Sequence, residues 1–233
     1  MNTEQLIAYL APILATTIIS MLILPLLIKL SPALKLVDIP NERKLHKFPI
    51  PAIGGMVIVI SVMITSFIVP SLHTLLGNNM AFAVCLVVLM VTGVVDDRLN
   101  ISAALRFFIQ IVCAIYVATN GIRLSSLHGI FGIYEIPVAV QYILTVIVIT
   151  GVTNAFNLID GIDGLAGSFS VVNLTILSVI ALITGQQEWL LLFLPLISAL
   201  LVFLKYNWRP AKVFMGDGGS LFFGFLTVTS GIM

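Results

Sequence analysis

Residues 136–184 read IPVAVQYILTVIVITGVTNAFNLIDGIDGLAGSFSVVNLTILSVIALIT. Two apolar runs, 136–156 and 167–184, meet at a polar hinge, NAFNLIDGIDGLAG, spanning Asn154 to Gly167. Each run is near the length that crosses the hydrocarbon of a bilayer, about 20 residues. Asp160 and Asp163 stand between them. An apolar setting makes a carboxylate expensive, so these two need a cause. If the hinge is helical, Asn154, Asn157, Asp160 and Asp163 form a polar stripe that drifts around the helix. Gly161 and Gly164 take away bulk beside the acids and permit a bend or the close approach of a ligand.

The rest of the chain repeats this pattern. Of 233 residues, 60% are hydrophobic and only 9% are charged, and the mean hydropathy is +1.17. A water-soluble domain carries about a quarter charged residues. The composition therefore excludes a soluble domain and predicts an all-α, polytopic membrane protein folded as one integral unit over 1–233. Apolar spans are expected at 6–28, 52–69, 80–95, 101–118, 136–156, 167–184, 189–204 and 219–233, about eight in all. The first lacks a basic leader and a small-residue cleavage site, so it reads as an uncleaved helix. Cys85 and Cys113 lie inside apolar runs and read as small buried residues. No Cys/His cluster has zinc spacing, and no nucleic-acid partner is expected.

Charge sets the expected topology. Connections after odd-numbered spans, with their flanks, hold Lys29, Lys35, Arg43, Lys44, Lys47, Arg98, Arg106, Lys205, Arg209 and Lys212; of the basic residues only Arg123 falls opposite. The positive-inside rule makes that face cytoplasmic and puts the N-terminus outside. Asp38, Glu42, Asp96, Asp97, Asp160, Asp163 and Asp217 fall on the same face. Insertion does not account for them, because acids contribute little to that rule.

Four sequence islands carry this charge. The first, DIPNERKLHKFPIPAIGG at Asp38 to Gly55, offers Arg43, Lys44, His46 and Lys47 at the headgroup level. They suit either anionic lipid or a substrate phosphate. Gly54 and Gly55 let another helix pack closely against the second span. The second island is VVDDRLNISAALRFFIQ, Val94 to Gln110. Adjacent Asp96 and Asp97 repel and need a cation, which Arg98, a divalent metal or a proton could supply. Arg106 and Gln110 are one turn apart and share a face. The hinge is the third. In the fourth, KYNWRPAKVFMGDGGSLFFGF, Gly216 and Gly218 would bring backbone N–H groups to phosphate oxygens at a helix start. Ser220 could cap that helix, and Asp217 is a hard oxygen ligand. Carboxylates without Cys or His partners suit Mg²⁺, or Mn²⁺ in its place, rather than zinc. Taken together the islands point to phosphoryl chemistry at a membrane surface.

DIPNERKLHKFPIPAIGG, DDRLNISAALR, NAFNLIDGIDGLAG and VFMGDGGSLFFGF, in this order, resemble the motifs of the polyprenyl-phosphate N-acetylhexosamine-1-phosphate transferases, glycosyltransferase family 4. The likeness runs from about Asp38 onward. PIPAIGG resembles the branch that initiates O-antigen, common-antigen and teichoic-acid linkage synthesis, more than the phospho-MurNAc-pentapeptide branch. The resemblance implies transfer of HexNAc-1-phosphate, GlcNAc-1-phosphate by default, from a UDP-sugar to undecaprenyl phosphate. The products would be an undecaprenyl-diphospho-sugar and UMP, at a bacterial plasma membrane and with Mg²⁺. It implies Asp217 as a direct metal ligand. Asp96 and Asp97 would handle the lipid phosphate, with Asp97 also near the metal. Asn157, Asp160 and Asp163 would hold the nucleotide-sugar and support the metal, and Arg106 would sit near the lipid phosphate. Arg43, Lys44, His46, Asn154, Gly216, Gly218 and Ser220 complete the expected substrate-binding set.

A lipid phosphate is mostly dianionic at neutral pH, since its second pKa is about 6. Direct attack on the β-phosphorus is therefore expected over a covalent aspartyl-phosphate. Family members also carry a His-rich loop beyond the eighth span; His46, His73 and His128 do not reproduce it. Residues 1–233 alone are accordingly expected to bind UDP-sugar poorly. The rival readings are an ion-coupled transporter using Asp160 and Asp163, and an inactive remnant or assembly partner. Apolar faces toward lipid and toward a partner look alike, which leaves a homodimer open.

Overall fold

The computed structural model describes residues 3–40, 48–127 and 129–233. Among these, nine α-helices make up the molecule: α1 Thr3–Leu34, α2 Gly54–Ile68, α3 Pro70–Asn78, α4 Met80–Leu99, α5 Ala103–Thr119, α6 Val138–Ile159, α7 Leu165–Ile183, α8 Leu190–Asn207 and α9 Gly216–Ile232. The only ladder of paired strands among them is a two-residue pair, β1 Val37–Asp38 antiparallel to β2 Ile50–Pro51. The all-α expectation is met, and each of the eight expected spans is a helix.

Two differences have physical causes. Residues 70–78 were expected as a connection and form α3. Pro70 occupies its first turn, where the missing N–H costs nothing. Leu72 and Leu75 turn inward. α2 and α3 meet at 109°. Several helices also outrun their apolar runs: α4 continues to Leu99, α6 to Ile159 and α8 to Asn207, and α9 begins at Gly216. Hydropathy marks the hydrocarbon zone, whereas helical hydrogen bonding continues into polar sequence. By length and apolarity five helical segments can cross a bilayer on their own: Ile7–Leu34, Met80–Leu99, Val138–Ile159, Leu165–Ile183 and Gln187–Asn207. The bent pair α2–α3 makes a sixth if taken as one span. α5 and α9 have 17 residues each and fall below that length.

The core is built around α9. Phe223 and Phe225 are fully enclosed, while Leu22 and Phe67 on outer helices are 70% and 76% exposed, an inversion that suits a lipid surround. α9 packs on α4, α6 and α2, and small residues set the separations. A Cβ on Gly55 would lie 2.1 Å from Gly219 Cα, and one on Gly224 would lie 2.8 Å from Thr153 Cα. Ser61, Thr145, Thr153 and Thr229 satisfy their buried hydroxyls by bonding back one turn to Val57, Gln141, Ile149 and Phe225 carbonyls.

The helix ends place the polar islands together. α4 stops at Asn100, whose φ is +50°, and Ser102 Oγ then caps α5 by accepting from Leu105 N. α6 ends at Ile159 and α7 starts after Gly164, whose φ of +75° suits glycine. The hinge is therefore a turn between two helices and not one continuous helix. Gly54 N and Gly55 N donate to Phe214 O and Met215 O, which ties the start of α2 to the segment leading into α9.

Candidate active site

The C-terminal ends of α4 and α6, the first turns of α5 and the start of α9 converge on one cluster of carboxylates. Arg106 of α5 is its hub. Its Nη1 donates to Asp96 Oδ2 and, at 2.9 Å, to Asp217 Oδ2. Asp96 is 6% exposed, and this guanidinium is the cation paired with it. Arg98, considered as the cation for the Asp pair, is exposed and makes no ion pair with either acid. From α6, Asn157 Nδ2 donates to Asp217 Oδ1 and to Ser220 Oγ, both at 2.7 Å. Asp217 is thereby fixed from two sides by two different helices.

Asp97 anchors the start of α9. Its Oδ1 accepts from Asp217 N at 3.1 Å and its Oδ2 from Gly218 N at 3.4 Å. A carboxylate on unpaired N–H groups at a helix start is favoured both as hydrogen bond and by the helix dipole. This corrects two expectations. Ser220 does not cap α9; it lies inside the helix and its Oγ donates to Asp217 O. The α9 amides of Asp217 and Gly218 hold a protein carboxylate in place of a phosphate. Gly216 has φ +79°, and a Cβ there would meet Asp97 Oδ2 at 2.8 Å and Ala52 O at 2.9 Å. Gly218 is pressed against Val94 and Met90 O. Both glycines are required by this packing.

Asp160 lies just beyond α6. Enclosure by protein, then the carboxylates of Asp217 and Asp97, push its carboxyl well above the usual aspartate range; the Gly216 N–H that it accepts from works the other way. Asp163 is placed differently. Its Oδ2 accepts from Ala211 N at 3.1 Å and braces the segment between α8 and α9. Asn154 faces α5, where its carboxamide and that of Gln110 bond reciprocally at 2.5 and 3.4 Å, and it also donates to Thr150 O. It forms the apolar-side floor beneath Arg106 and Asn157. Arg43, Lys44 and His46 lie outside the described residues.

Two residues were not singled out. Asn207, 4% exposed, accepts from Gly164 N at 2.9 Å and donates to Val213 O at 2.8 Å, so it links the α6–α7 turn to the segment feeding α9. Gln110 was noted only as sharing a face with Arg106. A carboxamide inside an apolar run was the signal for Gln110; Asn207 lies among polar residues, Lys205 to Arg209, and carried no such signal.

Among the described residues no three Asp, Glu, His or Cys side chains are already arranged to hold a metal ion. The donor chemistry still fits one. Asp96, Asp97, Asp160 and Asp217 are hard oxygen donors faced by one guanidinium, leaving a surplus of negative charge that suits Mg²⁺ or Mn²⁺ and no softer ion.

Fold and site thus define a helical, bilayer-type protein with a cluster of carboxylates, gathered round one arginine, at one end of its helices. The family model for glycosyl transferase family 4 matches residues 79–233, and the chain belongs to that family. It is 35% identical over 226 residues to a probable undecaprenyl-phosphate N-acetylglucosaminyl 1-phosphate transferase of Bacillus subtilis, covering 97% of this chain and 63% of the relative. It is 33% identical over 206 residues to the undecaprenyl-phosphate alpha-N-acetylglucosaminyl 1-phosphate transferase of Escherichia coli K12, covering 86% and 55%. A phospho-N-acetylmuramoyl-pentapeptide-transferase of Streptococcus pneumoniae is 31% identical over 188 residues, covering 75% and 56%. The chain spans between half and two thirds of the length of these relatives.

Proposed function

We propose that these residues form the catalytic centre of a phosphoglycosyl transferase. It would move GlcNAc-1-phosphate from a UDP-sugar to undecaprenyl phosphate at the cytoplasmic face of a bacterial plasma membrane. The product, an undecaprenyl-diphospho-sugar, would open the synthesis of a cell-surface polysaccharide. The observation that carries this reading is the joining of Asp217 to Asp96 through Arg106, to Asp97 through the α9 amides, and to the α6 end through Asn157. Residues from three distant islands meet there around one charged point. Arg123, the one basic residue expected outside, lies between the far ends of α5 and α6 against Tyr142. That placement puts Arg123 at the end of the helices away from the acidic cluster, which supports a centre at the inner leaflet.

Arg106 has guanidinium N–H groups beyond those it uses on the acids and would meet the acceptor phosphate with them. A phosphate oxygen of the acceptor forms a bond to the β-phosphorus of the UDP-sugar. The bond from that phosphorus to the bridging oxygen breaks, and UMP departs with the electron pair. Asp217, with Asp160 and Asp96 beside it, would hold Mg²⁺, which supplies charge neutralisation to the diphosphate when bound. Asn157 and Asp97 keep Asp217 in position.

The test is UMP release from UDP-GlcNAc by membranes carrying this chain. A signal, however slow, that requires undecaprenyl phosphate and Mg²⁺ and vanishes in Asp217→Asn supports the reading. UDP-sugar consumption that ignores the lipid acceptor, or survives in Asp217→Asn, overturns it. Cation flux without UMP release would support the transporter reading instead.

A further inference from the structure

Arg106 stands where two demands meet. Its Nη1 bridges Asp96 and Asp217, and the Asp217 oxygen it uses, Oδ2, is the one that Asn157 leaves free. Any divalent cation using Asp217 draws on the same carboxylate, and Oδ2 is the oxygen that Asn157 leaves open to it. A guanidinium and a divalent cation a few ångströms apart repel strongly in a half-buried site. Asp217 cannot swing away to serve the cation alone, since Asn157 grips its other oxygen and Asp97 grips its backbone N–H. Arg106 is the mobile partner: it is a long side chain, 27% exposed, reaching in from α5.

We infer that Arg106 is a resident counter-ion which a divalent cation displaces from Asp217, so that cation binding and release of Arg106 are one event. This rests on the reading that a divalent cation binds at Asp217. Asp96 keeps Arg106 close after the exchange, so the freed N–H groups remain at the mouth of the centre for an anionic oxygen. Linkage then makes the effect reciprocal: a phosphate that draws Arg106 off Asp217 tightens cation binding, and the cation tightens phosphate binding. Arg106 would act as a gate on charge, closing the acid pair when no cation is bound and opening it as the cation arrives, the more readily when an anionic oxygen is there to receive the guanidinium.

Two measurements on the full chain in detergent or nanodiscs test this without relying on turnover. The first is modification of Arg106 by phenylglyoxal, followed by mass spectrometry of the wild-type protein with and without Mg²⁺. Displacement predicts faster labelling of Arg106 when Mg²⁺ is present, with Arg98 as an internal reference that does not change. Slower or unchanged labelling of Arg106 in protein shown to bind the cation overturns the inference. The second is Mn²⁺ titration by electron paramagnetic resonance. Arg106→Gln removes the competitor and should tighten Mn²⁺ binding by about tenfold, the scale of one charge-assisted hydrogen bond. Arg106→Lys keeps the charge but shortens the reach, so it should also bind more tightly than wild type. If Lys matches wild type and only Gln binds more tightly, Arg106 acts through its distant field and does not occupy the site, which overturns displacement. If Mn²⁺ binds but Asp217→Asn does not weaken it, the placement of the cation at Asp217 fails and the inference with it, while lipid-dependent UMP release would still stand or fall by its own assay.

Discussion

Gly93 sits in α4 one turn before Asp96 and Asp97, directly against the start of α9. In Gly93→Ala the new Cβ would lie 2.3 Å from Asp217 C and from Gly218 N, and 2.4 Å from Asp217 O. All three are backbone atoms, so no rotamer change relieves the overlap. Ordinary contact begins near 3.4 Å, so α4 and α9 must part by about 1 Å, and overpacking of this kind costs about 1–3 kcal/mol. That parting also stretches the bonds from Asp97 to Asp217 N and Gly218 N, now 3.1 and 3.4 Å, beyond useful length. Asp217 would then sit about 1 Å from its position relative to Asp97, a misplacement that can lower turnover about 100-fold. The assay pairs UMP release with thermal unfolding in detergent. Gly151→Ala is the control, because nothing lies within 4 Å of its Cβ position and alanine favours a helix by about 1 kcal/mol over glycine. It should keep full turnover and unfold no earlier than wild type. Gly93→Ala turning over within about threefold of wild type would refute the argument that this helix contact sets the position of Asp217.

Asn207→Ala should destabilise the fold by about 1–3 kcal/mol, because Gly164 N–H and Val213 C=O would lose a buried partner; the check is the unfolding midpoint, and Asn207→Asp, which sets a buried carboxylate against Val213 O, should not restore the loss. Asp160 gives a pH dependence with a definite sign. Its native carboxyl is raised, so the fold favours the protonated form; in EDTA, stability should be highest in acid and decline as pH climbs from the ordinary aspartate range toward the raised value. Asp160→Asn should flatten that decline, as read from unfolding midpoints across a pH series, whereas an unchanged slope would assign it to another group.

Much of this molecule is visible in its sequence because lipid imposes simple rules. Long apolar runs become helices, and the separation of Arg123 from every other basic residue marks two ends. Non-local features are the ones that escape. Asp96, Asp97, Asn157 and Asp217 look like loop residues by hydropathy yet occupy helical turns, since polarity ends a membrane span without ending a helix. The Gly-rich start of α9 looks like a phosphate cradle, and only the fold shows that Asp97 reaches it first. Asp163 belongs to the same acidic motif as Asp160, but a turn after Ile159 sends it toward Ala211. Ser220 has the composition of a cap but sits too far into the helix to serve as one. Leu72 and Leu75 gave α3 an inward face within a stretch whose His, Thr, Gly and Asn content suggested a connection.

The carboxylate clasp on the first turn of α9 also governs how the centre meets its surroundings. With those amides occupied, an arriving polyanion is offered no ready-made backbone nest, and its attraction must come from mobile side chains and dissolved ions. Such attraction fades as ionic strength rises, because the charges that supply it are partly exposed to water. The occupancy of this centre is therefore tied to the ionic composition of the water film at the membrane.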